Sequence, residues 1–261
     1  DSGIAHSGRF TKIHAFPISV DYTGHQQEVQ SLEVEQETER WKTRLGLDGK
    51  MLGIGIDRMD YTKGIPERLR ALDRFLELNP VYRERLLFTQ IAVPSRSTVP
   101  SYQSLAREVR RLVAHINLRW GTSRWRPVTL LEENFGTASM IALHRLANFC
   151  VVSSLHDGMN LVAKEFVASR TDENGVLVLS RFAGAADELN DAVLTNPFSV
   201  DDLAEAYETA LAMPWEERAR RMRRMRRKVE TNTIYHWAGE FLTNLEVREP
   251  ANRMAAAAYG D

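Results

Sequence analysis

Three stretches of this sequence carry side chains suited to holding an anion or a hydroxylated ligand. In "GIDRMDYTKGIPE", Arg58 and Lys63 stand five residues apart. Both fall in what reads as one strand-to-helix loop. Two fixed cations beside the N–H groups and dipole of a helix N-terminus make an anion site, most naturally for phosphate. The plain alternative is a surface loop whose cations pair with Asp57, Asp60 or Glu67. In "IAVPSRSTVPSY", Arg96 lies between two prolines that stiffen its loop. It is either a phosphate clamp or a solvated arginine.

The third stretch is "SSLHDGMNLVAKEF", residues 153 to 166, after an aliphatic run. Asp157-Gly158-Met159-Asn160 reads as a tight turn before a helix. Gly158 lets a ligand approach the backbone closely. The N–H groups of Leu161 and Val162 open that helix without partners in it. Asp157 could instead cap the helix. Glu165, in the second turn, can accept from sugar hydroxyls or merely complement the helix dipole. His156 is a lone loop histidine, and its residue type alone assigns it no role.

These residues need a frame that brings strand ends together. "MLGIGI" (51–56), "LLFTQIAV" (86–93), "VTLL" (128–131), "FCVV" (149–152), "GVLVLS" (175–180) and "AVLTN" (192–196) read as buried strands. Between them run helical patterns, the clearest with Ile65, Leu69, Leu72 and Leu76 on one face. Further helices are expected over 102–120, 139–147, from about 161, near 183–189, and over 200–213, 214–230 and 234–245. Such alternation predicts an α/β fold, a doubly wound parallel sheet of Rossmann type with helices on both faces. Ligands in such sheets bind beyond the carboxyl ends of the strands. That is where Arg58, Lys63, Arg96 and Asp157 fall. "GIG" at 53–55 lies within a strand and lacks a third glycine, so it is no dinucleotide loop. The first fifty residues differ: "GRFTKIHAFPISVD" reads as a strand ending at Pro17, and 26–46 as one charged helix.

Composition excludes several classes. The chain has 261 residues, 43% of them hydrophobic, and a net charge of −1. That is a globular composition, and the balance argues against a dedicated nucleic-acid or membrane-surface protein. Eight of the eleven residues from Arg218 to Lys228 are basic. They surround Met222 and Met225 at helical spacing and read as a solvated helix face, since no aromatic platform accompanies them. The one cysteine, Cys150, sits in an apolar run, which suits a reducing compartment and a cytoplasmic location. No apolar run reaches the roughly 18 residues of a membrane span. The tail "MAAAAYGD" is expected to fray.

Together, "GIDRMDYTKGIPERLRA", "QIAVPSR", "DGMNLVAKEFVA" and "GVLVLSRFAGAADEL" closely resemble the trehalose-6-phosphate synthases, from about Gly8 to Leu245. The resemblance implies a retaining glucosyltransferase with two facing Rossmann-like domains, a GT-B architecture. It implies UDP-glucose or another nucleoside-diphosphate glucose as donor and glucose 6-phosphate as acceptor. It implies no metal or other cofactor. By the same resemblance Arg58 and Lys63 hold the donor diphosphate and stabilise the leaving UDP, and Asp157 binds the transferred glucose. The backbone of Gly158, Met159 and Asn160 surrounds that glucose. The N–H groups of Leu161 and Val162 face the diphosphate, Glu165 binds the ribose, Phe135 lies near the uracil, and Arg96 contacts the acceptor phosphate. Many members have Arg where this chain has His156.

The resemblance further implies that the chain is the C-terminal, donor-binding half. Residues 1–25 would be the last strand and exit of a missing N-terminal acceptor domain, and 26–48 a connecting helix. Residues 49–233 would be the nucleotide-sugar domain, and 234–261 a C-terminal helix and tail. A glucosylglycerol-phosphate synthase or a pseudo-glycosyltransferase of the same superfamily shares these expectations. So does a non-catalytic nucleotide-sugar-binding module. Oligomeric state is left open, a homo-oligomer included.

Overall fold

The computed structural model describes residues 3–246; the tail expected to fray lies outside them. The aliphatic runs become β3 (Met51–Arg58), β4 (Leu86–Val93), β5 (Val128–Leu131), β6 (Phe149–Val152), β7 (Val176–Ser180) and β8 (Val193–Thr195). β4, β6 and β7 are buried along almost their whole length. That is the pattern of strands covered on both faces. Among the described residues they form one parallel sheet in the order β5-β4-β3-β6-β7-β8. The chain winds outward from β3 to β5, returns to β6 beside β3, and winds outward again. Between β3 and β6 the direction reverses, and their crevice is where such sheets bind ligands.

Helices cover both faces. On one side α3 (Ile65–Leu78) packs between α4 (Pro100–Trp120) and α8 (Val200–Ala212). On the other, α5 (Thr137–Leu146) packs against α6 (Leu161–Ser169), and α6 against α9 (Trp215–Thr231). The short α7 (Ala185–Glu188) precedes β8, and α10 (Ile234–Glu246) ends the described chain. α3 buries Ile65, Leu69, Leu72 and Leu76, with Pro66 in its first turn. In α9 the apolar stripe is Met222 and Met225, both buried. Its cations pair largely with Glu217, Asp191 and Glu173.

The glycines of "GIG" are packing residues. A Cβ on Gly53 would collide with the Phe149 ring, and one on Gly55 with the Arg68 guanidinium. β3 is thereby free to lie at the centre of the sheet with Phe88 and Phe149 over it. Rings of this size contribute about 1.5–3 kcal/mol each when fully buried.

The N-terminal expectation needs correction. There is no strand running to Pro17. β1 (Gly3–His6) and β2 (Arg9–Lys12) form an exposed antiparallel hairpin. The single charged helix is two: α1 (Tyr22–Val29), capped by Asp21, and α2 (Leu32–Leu45), capped by Ser31. α1 packs on α6, α5 and α9, and α2 on α5; Val29 of α1 and Val34 of α2 meet at Ile141, while Trp41 packs with Ala142 and Leu143. Among the described residues no helix is long and apolar enough to cross a membrane.

Candidate active site

The crevice between β3 and β6 is built by three loops stitched together through their backbones. The 3-10 turn Tyr61–Lys63 follows β3, and its Thr62 carbonyl accepts from the Leu155 N–H at 2.7 Å. The loop after β6 then joins the loop after β7. The Asp157 N–H donates to the Phe182 carbonyl at 3.2 Å, and the Gly184 N–H donates to the Asp157 carbonyl at 3.0 Å. Gly64 lies between Lys63 and α3 with φ +62, and a Cβ there would strike the Ser153 carbonyl. Only glycine meets both demands cheaply.

Within this frame Lys63 and Asp157 meet. Lys63 Nζ lies 2.6 Å from Asp157 Oδ2, with 16% of each side chain exposed. Burial works to raise the Asp157 pKa. The Lys63 ammonium, the Asn160 amide and the Met159 N–H outweigh it and hold the carboxyl below its ordinary value. Asp157 is not the cap of α6. Asn160 is, with Oδ1 accepting from the Ala163 N–H at 3.2 Å. Leu161 and Val162 occupy the first two helical positions, where an N–H has no acceptor within the helix. Glu165 is partly buried, no cation pairs with it among the described residues, and burial raises its pKa.

Arg58 ends β3 exposed, opposite Val93 of β4. Arg96 takes a positive φ of 46° and donates from Nη1 to the Tyr102 hydroxyl at 2.9 Å. That hydroxyl donates to Asp60 Oδ2 at 3.4 Å, so the β4 loop is tied to the β3 loop. Phe135 is held by α2: its ring meets Trp41 edge-on at 5.3 Å, and the Arg44 guanidinium lies 5.9 Å from its centre. The structure thus joins Lys63, Asp157, Met159 and Asn160 directly and links Arg96 through Tyr102. Phe135 is attached elsewhere. Gly158 and His156 are exposed on the same loop.

Beneath the crevice lies a residue that motif reading missed. Arg68, fully buried, donates from Nη1 to Gln90 Oε1 at 2.9 Å and from Nε to Ser153 Oγ at 3.0 Å. Its Nη1 is 2.7 Å from Asp57 Oδ2, an ion pair not aligned as a hydrogen bond. Burial pushes the Asp57 pKa up against the pull of that guanidinium. One side chain therefore fastens β3, β4 and the end of β6. The signal was present, because Arg68 falls among Ile65, Leu69 and Leu72 on the apolar face. Lys164 is likewise buried, donating to the Ile18 carbonyl at 2.9 Å and to Glu188 at 2.8 Å. Cys150 is buried, and desolvation raises its thiol pKa, so it is no nucleophile.

Comparison with known proteins gives a concordant picture. The family profile of Glycosyltransferase family 20 matches residues 1–247. A UDP-forming alpha,alpha-trehalose-phosphate synthase of Pichia angusta is 38% identical, over 93% of this chain and 51% of its own length. One of Aspergillus fumigatus is 37% identical, over 99% of this chain and 49% of its own. The crystal structure of such a synthase from Burkholderia xenovorans, in complex with glucose-6-phosphate, superposes with a TM-score of 0.89 at 36% identity. It covers 94% of this chain and 54% of that one. An E. coli structure bound with UDP-2-fluoro glucose superposes with a TM-score of 0.87 at 32% identity, over 94% of this chain and 55% of that one. The chain spans about half the length of the curated relatives it matches.

Proposed function

The chain belongs to glycosyltransferase family 20, and we propose that it supplies the donor-binding half of an enzyme that moves glucose from UDP-glucose to glucose 6-phosphate. The products are trehalose 6-phosphate and UDP. The observation that carries this reading is the Lys63–Asp157 contact of 2.6 Å at the reversal point of the sheet. It sets a cation for a diphosphate beside an acid for a sugar. The E. coli relative bound with UDP-2-fluoro glucose and the Burkholderia relative with glucose-6-phosphate support the substrate classes.

The chemistry assigned to each residue follows from charge. Cleavage of the bond between anomeric carbon and phosphate oxygen leaves negative charge on the β-phosphate. Arg58, Lys63 and the N–H groups of Leu161 and Val162 stabilise that charge as it develops. Asp157 accepts from hydroxyls of the transferred glucose, with the backbone of Gly158, Met159 and Asn160 around it. Glu165 accepts from the ribose hydroxyls. Arg96 holds the acceptor phosphate, and Phe135 borders the base. The acceptor hydroxyl attacks on the face from which UDP leaves and passes its proton to the departing phosphate, so configuration is retained. That route takes neither a protein nucleophile nor a metal. A further part of the protein completes the acceptor pocket, as the greater length of the relatives suggests. The same reading places the enzyme in the cytoplasm, where its buried Cys150 stays reduced.

Calorimetry on the 261-residue chain tests the assignment. UDP and UDP-glucose are expected to bind, and Arg58→Ala or Lys63→Ala to weaken both by about ten- to a hundredfold. Affinity unchanged in both variants would sink the donor site. Robust trehalose 6-phosphate formation by this chain alone would sink the claim that it is a half.

A further inference from the structure

Four donors converge on the Asp157 carboxylate, unevenly. Oδ2 accepts from Lys63 Nζ at 2.6 Å, Asn160 Nδ2 at 3.1 Å and Ser154 Oγ at 3.3 Å. Oδ1 accepts one long bond, from the Met159 N–H at 3.4 Å. A carboxylate offers about four acceptor positions over its two oxygens. Oδ2 is therefore saturated, and Oδ1 retains the free capacity.

Asn160 is the residue that makes this division. It is buried, at 6% exposure, and takes a φ of 81°. That region is uncommon for any side chain but best tolerated by Asn. Its amide can be oriented only one way. The oxygen must face the Ala163 N–H, 3.2 Å away, because that group donates. The nitrogen must then face Asp157 and Ser154. One planar amide thus couples the first turn of α6 to the orientation of the acid.

We propose that the Asn160 side chain is a positioning residue: it occupies Oδ2 of Asp157 together with Lys63 and Ser154, and so assigns Oδ1 to the hydroxyls of the transferred sugar. The proposal rests on the donor-site reading above and deepens it. The backbone of Asn160 borders the sugar, whereas its side chain acts through Asp157. Backbone contacts around the sugar survive its loss, but the acid is then oriented only by Lys63, Ser154 and the long Met159 bond, and Oδ2 regains capacity for a hydroxyl.

Two variants separate positioning from simple capping. Asn160→Gly suits the positive φ and costs a cap only a few tenths of a kcal/mol, yet removes the donor to Asp157. Asn160→Asp keeps an acceptor for the Ala163 N–H but turns the donor into a like charge. In the ligand-free 261-residue chain, carboxyl carbon NMR is expected to show Asp157 titrating higher in Asn160→Gly than in wild type, and higher again in Asn160→Asp. Calorimetry is expected to show UDP affinity nearly kept in Asn160→Gly. The extra affinity of UDP-glucose over UDP should fall by about tenfold. In Asn160→Asp that preference should return as the pH is lowered and the acid pair comes to share a proton that again donates.

Titration of Asp157 and the UDP-glucose preference both unchanged, with only the melting temperature lowered, would reduce Asn160 to a cap and overturn the proposal. A shifted titration in a chain that binds no UDP, wild type included, would uphold the positioning and overturn the donor-site reading instead.

Discussion

Arg58 and Lys63 carry the same charge but differ in what each already holds. Arg58 is exposed and hydrogen-bonds to no side chain among the described residues, whereas Lys63 is paired with Asp157. Arg58→Ala should therefore leave stability within about 0.5 kcal/mol of wild type. Lys63→Ala should cost about 1–3 kcal/mol, between the values for exposed and buried pairs. It also exposes the diphosphate to an unpaired Asp157, so it should weaken UDP binding more than Arg58→Ala does. Chemical denaturation and calorimetry on the two variants check both orderings. Gly64→Ala should cost at least about 1–3 kcal/mol, since φ +62 and the Ser153 carbonyl both oppose a Cβ. At this scale the sequence was informative about residue type. Two cations in one loop and an acid before a helix were legible as an anion site with a carboxylate. Their pairing was not, because Lys63 and Asp157 are 94 positions apart. Arg68 is the converse case. Its charge on an apolar face was visible, but its partners come from elsewhere, Gln90 from β4 and Ser153 from the loop after β6.

At the scale of elements, the strands were legible because an aliphatic run of four to eight residues between polar loops has few other ways to be buried. The break between α1 and α2 was not. Residue type favours a helix on both sides of Ser31, and the division falls where Val29 and Val34 both reach Ile141 of α5 while Tyr22 packs into the main core and Trp41 against Ala142 and Leu143. Ser31→Ala should cost about 1 kcal/mol through loss of the bond from the Val34 N–H. Trp41→Ala should cost about 3–5 kcal/mol and release Phe135, whose ring rests edge-on against it. Urea titration measures the first effect. The second should appear in urea titration and, if Phe135 borders the base, as weaker UDP binding without loss of the Lys63–Asp157 contact. The exposed hairpin of β1 and β2 carries no alternation with a buried face, so periodicity had nothing to detect.

At the scale of the whole molecule, α1, α5 and α6 meet at a polar cluster. His25 Nε2 lies 2.8 Å from Ser169 Oγ, and His144 Nδ1 lies 3.4 Å from the same oxygen. Burial, and then the neighbouring charges, lower both histidines, His144 to about 3. Below about pH 6.5 the unfolded chain therefore binds more protons than the folded one. Stability should fall as the pH drops through 6.5, by up to about 1.4 kcal/mol per pH unit for each histidine that stays neutral in the fold. Urea midpoints at pH 7.5 and 5.5 measure the slope, and His144→Asn should flatten it.

The sequence by itself determined the alternation of strands and helices, the winding of a parallel sheet, and the kinds of side chain at each strand end. Those follow from local periodicity, turn chemistry and residue type, all readable within a window of a few residues. Tertiary structure alone decided which strand ends meet, which oxygen of Asp157 is occupied, that Asn160 and not Asp157 caps α6, and that Phe135 belongs with Trp41. Apart from the cap, a choice between two neighbouring side chains, each of these involves a contact between distant segments, set by the order β5-β4-β3-β6-β7-β8. That order is fixed by burying both faces of the sheet at once, a condition that no short window of sequence contains.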